Sequence, residues 1–464
     1  MKVIVVGINH AGTSAIRTLL TQNPSVEVVA FDRNDNISFL GCGIALTVSG
    51  VVQNINDLFY SNPEQLTGMG AKIHMRHDVL QVNPDKKTVT VKNLDNNQTF
   101  DETYDKLILA AGSWPICTPG IDLDFQSKYC GDIKNLVACK TFQHAQEIIE
   151  NMKNPEIRSV AVIGSGYIGI ELAEAAAIRN KQVTIIDMLP QPAGSYYDPE
   201  FTNDLTTAME KHNVKVMMDT KVTEYIVDKK DRVIKGINTS NGKVDADLVI
   251  LAIGFKPNTH LLPNADKVKN GAYIVNKYTE TSIPDIYAIG GNCALFNAAT
   301  GQHQNIDLAT NAVKTGIVAA SNINGNKNVC IESIVGTNAI SVFGLNLAST
   351  GVSEETAKRM GMDVLSSYYE DNDRPEFMNT FEKIKFKLVY DKSTLRLVGA
   401  QIGSSKNANH TEIIYYLALA IQKNMTILDL AFADVYFLPH FNKPFNFVLA
   451  AILKALNLNY FDKK

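Results

Sequence analysis

The chain has almost no tryptophan, one residue in 464, and no excess of either charge. Its 44 basic side chains face 48 acidic ones, a net charge of −4. That excludes a protein whose main task is gripping phosphate backbones, since such domains are distinctly basic. Six cysteines (42, 117, 130, 139, 293 and 330) include no C-x-x-C pair. Neither a zinc knuckle nor a paired dithiol is encoded locally, and no metal is expected. No apolar run approaches the roughly 18 residues of a membrane helix. The richest tract, 445–458, is broken by Asn446, Lys454 and Asn457 and reads as a packed terminal helix. Only Val3 to Val6 precede Gly7 as an apolar stretch, short of the about 7–15 residues of a secretory signal. A cytoplasmic protein with no membrane or nucleic-acid partner is therefore expected. With 45% apolar and 20% charged residues, disorder is excluded and a chain of this length divides into roughly three domains.

What the chain does have is a glycine turn, twice. Lys2–Val6 reads as a buried strand, Gly7-Ile8-Asn9-His10-Ala11-Gly12 as the turn, Thr13–Gln22 as a helix and Val26–Asp32 as the next strand. A turn that sets a helix N-terminus under a pyrophosphate, with an acid about 20 residues on for a ribose hydroxyl, is the dinucleotide-binding arrangement. Asn9 replaces the second glycine of G-x-G-x-x-G, and Asp32 falls 20 residues after Gly12. Alone, this copy is matched as well by a plain strand–helix turn. The second copy is complete: Ser159–Ile163 runs into Gly164-Ser165-Gly166-Tyr167-Ile168-Gly169, and Asp187 lies 18 residues beyond Gly169. Two units imply two dinucleotides, or one cofactor passing electrons to another. Asp187 would accept from a 2′-hydroxyl and repel a 2′-phosphate, and Met188-Leu189 adds no cation. NAD(H) is expected there in preference to NADP(H).

Each unit is followed by a buried strand ending at a glycine, Tyr104–Ser113 with Gly112 and Asp247–Gly254. The repeated order points to two homologous halves. Asn322–Asn328 is a polar hinge. Beyond it, strand patterns at Lys383–Tyr390 and Leu395–Ala400 and helical patterns at Glu412–Gln422 and Pro444–Ala455 suggest a separate α+β domain.

These features together resemble the pyridine nucleotide–disulfide oxidoreductase family over essentially the whole chain. Asn36-Ile37-Ser38-Phe39-Leu40-Gly41-Cys42-Gly43-Ile44-Ala45, with His10 in the first turn, is similar to the redox-cysteine segment of its single-cysteine branch. That branch holds NADH oxidases, NADH peroxidases and coenzyme A-disulfide reductases. Leu46 and Thr47 follow where dithiol members place a second cysteine. Three stretches lean toward a water-forming oxidase: Leu308–Lys314 with Val313, Asp371–Met378, and Phe437–Asn446 with Phe437 and Phe441 where disulfide reductases tend to have tyrosines. One stretch departs from the family. Its usual Gly-Asp pair, whose acid holds the flavin's ribityl chain, reads Gly290-Gly291-Asn292-Cys293 here. Either Gly291 replaces the acid, or Asn292 takes its place with a one-residue shift.

The resemblance implies an α/β fold of two Rossmann-like domains and a C-terminal α+β dimerisation domain. The FAD domain would span 1–120 and 255–325, the NAD domain 121–254 and the dimerisation domain 326–464. Expected FAD neighbours are Gly7, Asn9, Ala11, Gly12, Asp32, Arg33, Val79, Ala111, Gly112, Ser113, Lys140, Asn292, Ala309 and Thr310. Expected NADH neighbours are Gly164, Gly166, Tyr167, Ile168, Gly169, Asp187, Tyr196 and Gly254, with Tyr167 a stacking gate or a plain core aromatic. Glu171 would tune a flavin-side lysine or complement a helix dipole, and Trp114 would cover the flavin or simply fill a core. The other five cysteines are expected to be structural thiols.

The implied reaction takes two NADH, two protons and one dioxygen to two NAD⁺ and two waters. Flavin alone tends to stop at peroxide. A Cys42 thiolate would reduce that peroxide, becoming a sulfenic acid that the next hydride resets. A helix beginning after Cys42 would lower its pKa, and His10 would hydrogen-bond the sulfur's oxygen or deliver a proton. A homodimer is expected, with the segment near Phe441 completing the partner's active site. NADH peroxidase, a disulfide reductase and a non-catalytic flavin redox sensor are the rival readings.

Overall fold

The computed structural model describes residues 1–125 and 127–458. In chain order the elements that matter are β1 (Lys2–Val6), α1 (His10–Gln22), β2 (Glu27–Asp32), β3 (Lys72–Met75) and β4 (Lys106–Leu109). Next come β5 (Leu136–Ala138), β6 (Ser159–Ile163), α2 (Tyr167–Ile178), β7 (Gln182–Ile186), β8 (Val214–Met217) and β9 (Leu248–Leu251). The chain then returns through β10 (Ile286–Ala288) and α3 (Ala309–Ile323). It ends in β11 (Asn338–Val342), β12 (Leu345–Gly351), β13 (Val364–Asn372), β14 (Lys383–Asp391), β15 (Leu397–Ser405), α4 (Ile414–Gln422) and α5 (Phe447–Ala455).

Two parallel sheets repeat one plan. The first is ordered β3-β2-β1-β4-β10 and the second β8-β7-β6-β9-β5. Both glycine turns therefore follow the central strand, where the strand order reverses and a doubly wound sheet opens its crevice. The strands are buried on both faces, which is why they read as continuous apolar runs: Val3, Ile4, Val5, Leu107, Ile108 and Leu109 are fully buried. Both units also carry a three-stranded antiparallel sheet, at 77–103 between β3 and β4 in the first and at 222–245 between β8 and β9 in the second. The paired cores close the first unit only when β10 returns from beyond the second.

The C-terminal unit is an antiparallel sheet ordered β11-β12-β15-β14-β13. Phe386, Leu397, Ile402, Leu417, Ile421, Phe447 and Ile452 form its core with α4 and α5. A buried ionic knot ties it to the second nucleotide-binding unit. Lys387 of β14 reaches Asp198 at 3.2 Å, Glu200 at 2.8 Å and Glu354 at 2.8 Å. Gln401 donates to Asp198 at 2.7 Å. Removing one partner of such a knot leaves a buried charge uncompensated, which costs more than the intact pair contributes. Among the described residues, no helix is long and apolar enough to cross a membrane, and no group of three or more His, Cys, Asp or Glu is placed to hold a metal ion.

Candidate active site

The first glycine turn is built by backbone contact. Gly7 has φ +92°, and a Cβ there would lie 2.4 Å from the Ala110 carbonyl oxygen. A Cβ on Gly12 would lie 1.9 Å from the Gly7 carbonyl oxygen. Only glycine allows strand, turn and helix to close this tightly. Asp32 accepts from the Ile8 amide at 2.7 Å and the Asn34 amide at 2.8 Å. A carboxylate has about four acceptor positions, so it retains capacity for a ribose hydroxyl. Burial pushes its pKa up, opposed by those backbone hydrogen bonds.

The turn opens onto a long cleft walled by several elements. Gly7, Asn9, His10, Ala11, Asp32, Arg33, Val79, Ala111, Gly112, Ser113 and Lys140 all line it. Arg33 is clamped between two rings, its Cζ 4.9 Å from the Trp114 centroid and 4.7 Å from that of Phe125. Trp114 itself lines the cleft and donates its indole N–H to the Leu123 carbonyl at 2.8 Å. A glycine cradle, a helix N-terminus and an acid at the end of β2 fit a dinucleotide such as FAD.

Four expected FAD neighbours do not line this cleft. Gly12 serves the close packing of α1 instead. Asn292 is fully buried and donates to the Leu109 carbonyl at 3.2 Å, pointing back into the sheet. The single helical turn Gly290–Asn292 presents Gly291, not Asn292, to the cleft. Ala309 and Thr310 lie exposed at the start of α3, while Ala312, one turn along, faces inward.

At the other end, His10 stacks on Tyr60, with centroids 5.4 Å apart and rings 8° from parallel, and its Nδ1 is 2.8 Å from the tyrosine hydroxyl. Burial pushes Tyr60 up to about 12, so it keeps its proton. Burial, then the Lys140 charge, lowers the His10 pKa against an opposing pull from Asp307. A neutral imidazole accepting at Nδ1 carries its proton on Nε2, free to donate. Tyr60 had no sequence signal, because its role depends on a ring 50 residues away.

Cys42 lies in a single turn, Gly41–Gly43, ahead of a six-residue helix Ile44–Ser49. A Cβ on Gly41 would be 3.3 Å from the Lys140 carbonyl oxygen, which places the turn beside the lysine end of the cleft. The side chain is exposed, yet its pKa is raised, not lowered. Desolvation by the protein around it is the main cause, and the Glu171 carboxylate adds to it. A helix of under two turns offers too weak a dipole to overcome both. Burial, with Glu174 adding, lifts Glu171 itself to about 7. Glu171 lies beyond the first turn of α2, and the polar partners of Lys140 are Ser113 at 3.0 Å and Asp307 at 3.9 Å.

The second glycine turn repeats the first. A Cβ on Gly164 (φ +102°) would be 2.3 Å from the Ala252 carbonyl oxygen, and one on Gly169 would be 1.9 Å from the Gly164 carbonyl oxygen. Gly166 faces open space. Asp187 accepts from the Ser165 amide at 2.6 Å and the Leu189 amide at 2.9 Å. Tyr167 stacks on Tyr196, with centroids 4.3 Å apart and rings 19° from parallel. Its hydroxyl bonds Tyr197 at 2.8 Å and also Asn338 of β11. Ile168 packs toward the core, and Gly254 (φ +99°) ends the strand opposite the turn.

Residues 1–316 match the family described as pyridine nucleotide-disulphide oxidoreductase, and residues 337–446 match its dimerisation domain. The chain belongs to this family. It is 55% identical to an NADH oxidase of Mycoplasma pneumoniae, covering 100% of this chain and 99% of that one. It is 44% identical to an NADH oxidase of Enterococcus faecalis, covering 97% and 98%. A solved water-forming NADH oxidase from Lactobacillus brevis, bound to NADH, superposes with a TM-score of 0.92 at 38% identity, covering 98% of both chains. The expected family and three-part fold are thus found.

Proposed function

We propose that this chain oxidises NADH and reduces dioxygen to water, with FAD in the first cleft and Cys42 as the thiol that removes peroxide. It is a flavin-dependent oxidoreductase of the NADH oxidase type. The observation that carries this reading is one continuous cleft running from the Asp32 cradle to His10 and Lys140, with Cys42 unpaired on the adjoining turn.

FAD supplies hydride acceptance and the two-electron reaction with oxygen. The chain's residues do the rest. Gly164 and Gly169 close the turn, Gly166 leaves the NADH pyrophosphate room to approach the backbone, and Asp187 receives a ribose hydroxyl and repels a 2′-phosphate. Tyr167 and Tyr196 form a flat stacked gate where nicotinamide arrives. The Cys42 thiolate attacks one peroxide oxygen, the O–O bond breaks, and the leaving hydroxide takes a proton to become water. His10, with its proton on Nε2, is the proton source in this reading. Cys42 is left as a sulfenic acid. Two electrons from a second NADH, with two protons, return it to a thiol and release its oxygen as water. No neighbouring thiol follows at Leu46 or Thr47 to trap the intermediate as a disulfide.

The C-terminal dimerisation domain supports a homodimer; a cytoplasmic location is part of our reading. In our reading, the segment around Phe441 caps the partner's active site. Its support is an exposed apolar stretch: Phe432 is 85% exposed, Tyr436 70% and Phe441 57%. A monomer would leave this patch in water at a cost in solubility.

An oxygen electrode with a peroxide assay in the same cell tests the function. Two NADH consumed per oxygen, with no peroxide, is the expected result. One NADH per oxygen with peroxide accumulating contradicts water formation, and NADH loss only when peroxide is added marks a peroxidase.

A further inference from the structure

Gly291 lines the cleft with no side chain, and the space beside it is filled from another element. A Cβ built on Gly291 would lie 2.5 Å from Oδ1 of Asp307, 2.9 Å from its Cγ and 2.9 Å from Oδ2. A carboxylate carried by residue 291 and the carboxylate of Asp307 would therefore occupy the same volume. Asp307 is also held in place: Ser113 donates to its Oδ2, and Lys140 lies 3.9 Å away. Oδ1 faces Gly291.

The position along the cleft is informative. A Cβ on the neighbouring Gly290 would be 3.0 Å from Ala11 Cβ, so this turn abuts the first turn of α1, where a pyrophosphate belongs. Lys140, on the far side of Asp307, adjoins the Cys42 turn. Asp307 thus stands between the pyrophosphate end and the thiol end. In FAD the segment between pyrophosphate and ring is a polyhydroxylated chain, whose hydroxyls need acceptors when buried. A carboxylate is the strongest acceptor a side chain offers.

We infer that Asp307 is the FAD-binding acid of this chain, supplying from the loop before α3 the carboxylate that position 291 lacks. The inference rests on the FAD reading above. Gly291 leaves the room that Asp307 fills. The neighbouring candidates are weaker: Asn292 has an unpartnered Oδ1 but is fully buried and does not line the cleft, and Ser113 is already committed to Asp307 and Lys140.

The test uses full-length protein stripped of flavin and titrated with FAD, reading flavin fluorescence and the FAD-dependent rise in melting temperature. Asp307→Ala should weaken FAD binding at least tenfold. Gly291→Asp should also weaken it, because two carboxylates would collide. The double variant Gly291→Asp/Asp307→Ala should bind within about threefold of the parent. If Asp307→Ala binds FAD like the parent, or if the double variant binds no better than Asp307→Ala, the inference is overturned. Should Asp307→Ala not fold, the double variant alone decides. A Lys140→Met background separates ligand binding from charge balance: Asp307→Ala must still weaken FAD there, and no loss would reduce Asp307 to a counter-ion. Failure of the parent protein to bind FAD would instead sink the flavoprotein reading.

Discussion

The two nucleotide-binding units share a frame and differ in what surrounds it. In both, a positive-φ glycine after the central strand packs so close to the chain beyond the neighbouring strand that a Cβ would lie 2.4 Å from a carbonyl oxygen at Gly7 and 2.3 Å at Gly164. In both, the acid ending the next strand is fixed by the amide one residue past that glycine, Ile8 or Ser165. Around the first, side chains from residues 32–34, 77–79, 110–114 and 140–143 wall a deep cleft. Around the second, the turn is covered by the stacked pair Tyr167 and Tyr196, pinned by Asn338 from the C-terminal sheet. One frame thus serves a resident group held from many sides and a substrate that must leave after each hydride. The surroundings decide which.

Breaking the frame itself should have the largest effect, and equally in both units. Gly12→Ala and Gly169→Ala each force a methyl to 1.9 Å from a carbonyl oxygen. Each should cost about 3 kcal/mol or more, seen as a lower urea midpoint and poor recovery of folded protein. Gly166→Ala meets nothing within 4 Å, so it should leave the urea midpoint unchanged and raise only the KM for NADH.

The acids should separate the units. Asp32→Ala strands the buried Ile8 amide, at about 1–3 kcal/mol, and the half-buried Asn34 amide at less, and should yield protein largely without FAD. Asp187→Ala should keep its FAD, raise the KM for NADH roughly tenfold and narrow the preference over NADPH. Equal FAD loss in both variants would contradict the division of roles.

A smaller effect is expected from pH. Burial and Glu171 hold the Cys42 thiol above its ordinary value, so thiolate is scarce at low pH and grows as pH rises. The share of electrons ending in peroxide should fall with rising pH. Glu171→Gln removes the carboxylate that disfavours the thiolate and should move that profile to lower pH. A shift upward, or none, would show that Glu171 does not act on Cys42. Smallest of all, Asn338→Ala removes one of the Tyr167 hydroxyl's two partners and should change the KM for NADH by less than about threefold, with kcat unmoved.

Much of this was legible from spacing alone. Two glycine turns, two acids and the strands behind them are local patterns, and the fold places each pattern on a strand–turn–helix. What sequence reading missed depends on chain meeting itself at long range. Sequence alone leaves Gly291 and Asn292 both open as the residue standing for the family's acid, and only the fold shows that the turn presents Gly291 to the cleft. Asp307 carries no motif, and only the space at Gly291 identifies it. Tyr60 and Asn338 matter through partners 50 and 171 residues away. The apolar run after Cys42 predicts a helix that lowers the thiol's pKa, but helix Ile44–Ser49 is short and Glu171 approaches from α2, so the pKa is raised. The antiparallel sheets at 77–103 and 222–245 were overlooked, since short half-exposed strands leave little periodicity to read.

The central claim is that one sulfur carries the second half of oxygen reduction, and Cys42→Ser tests it most directly through peroxide formed per NADH consumed. The account predicts a change from none in the parent to one per NADH in the variant, with NADH oxidation continuing. A Cys42→Ser protein that still makes water without releasing peroxide would contradict it.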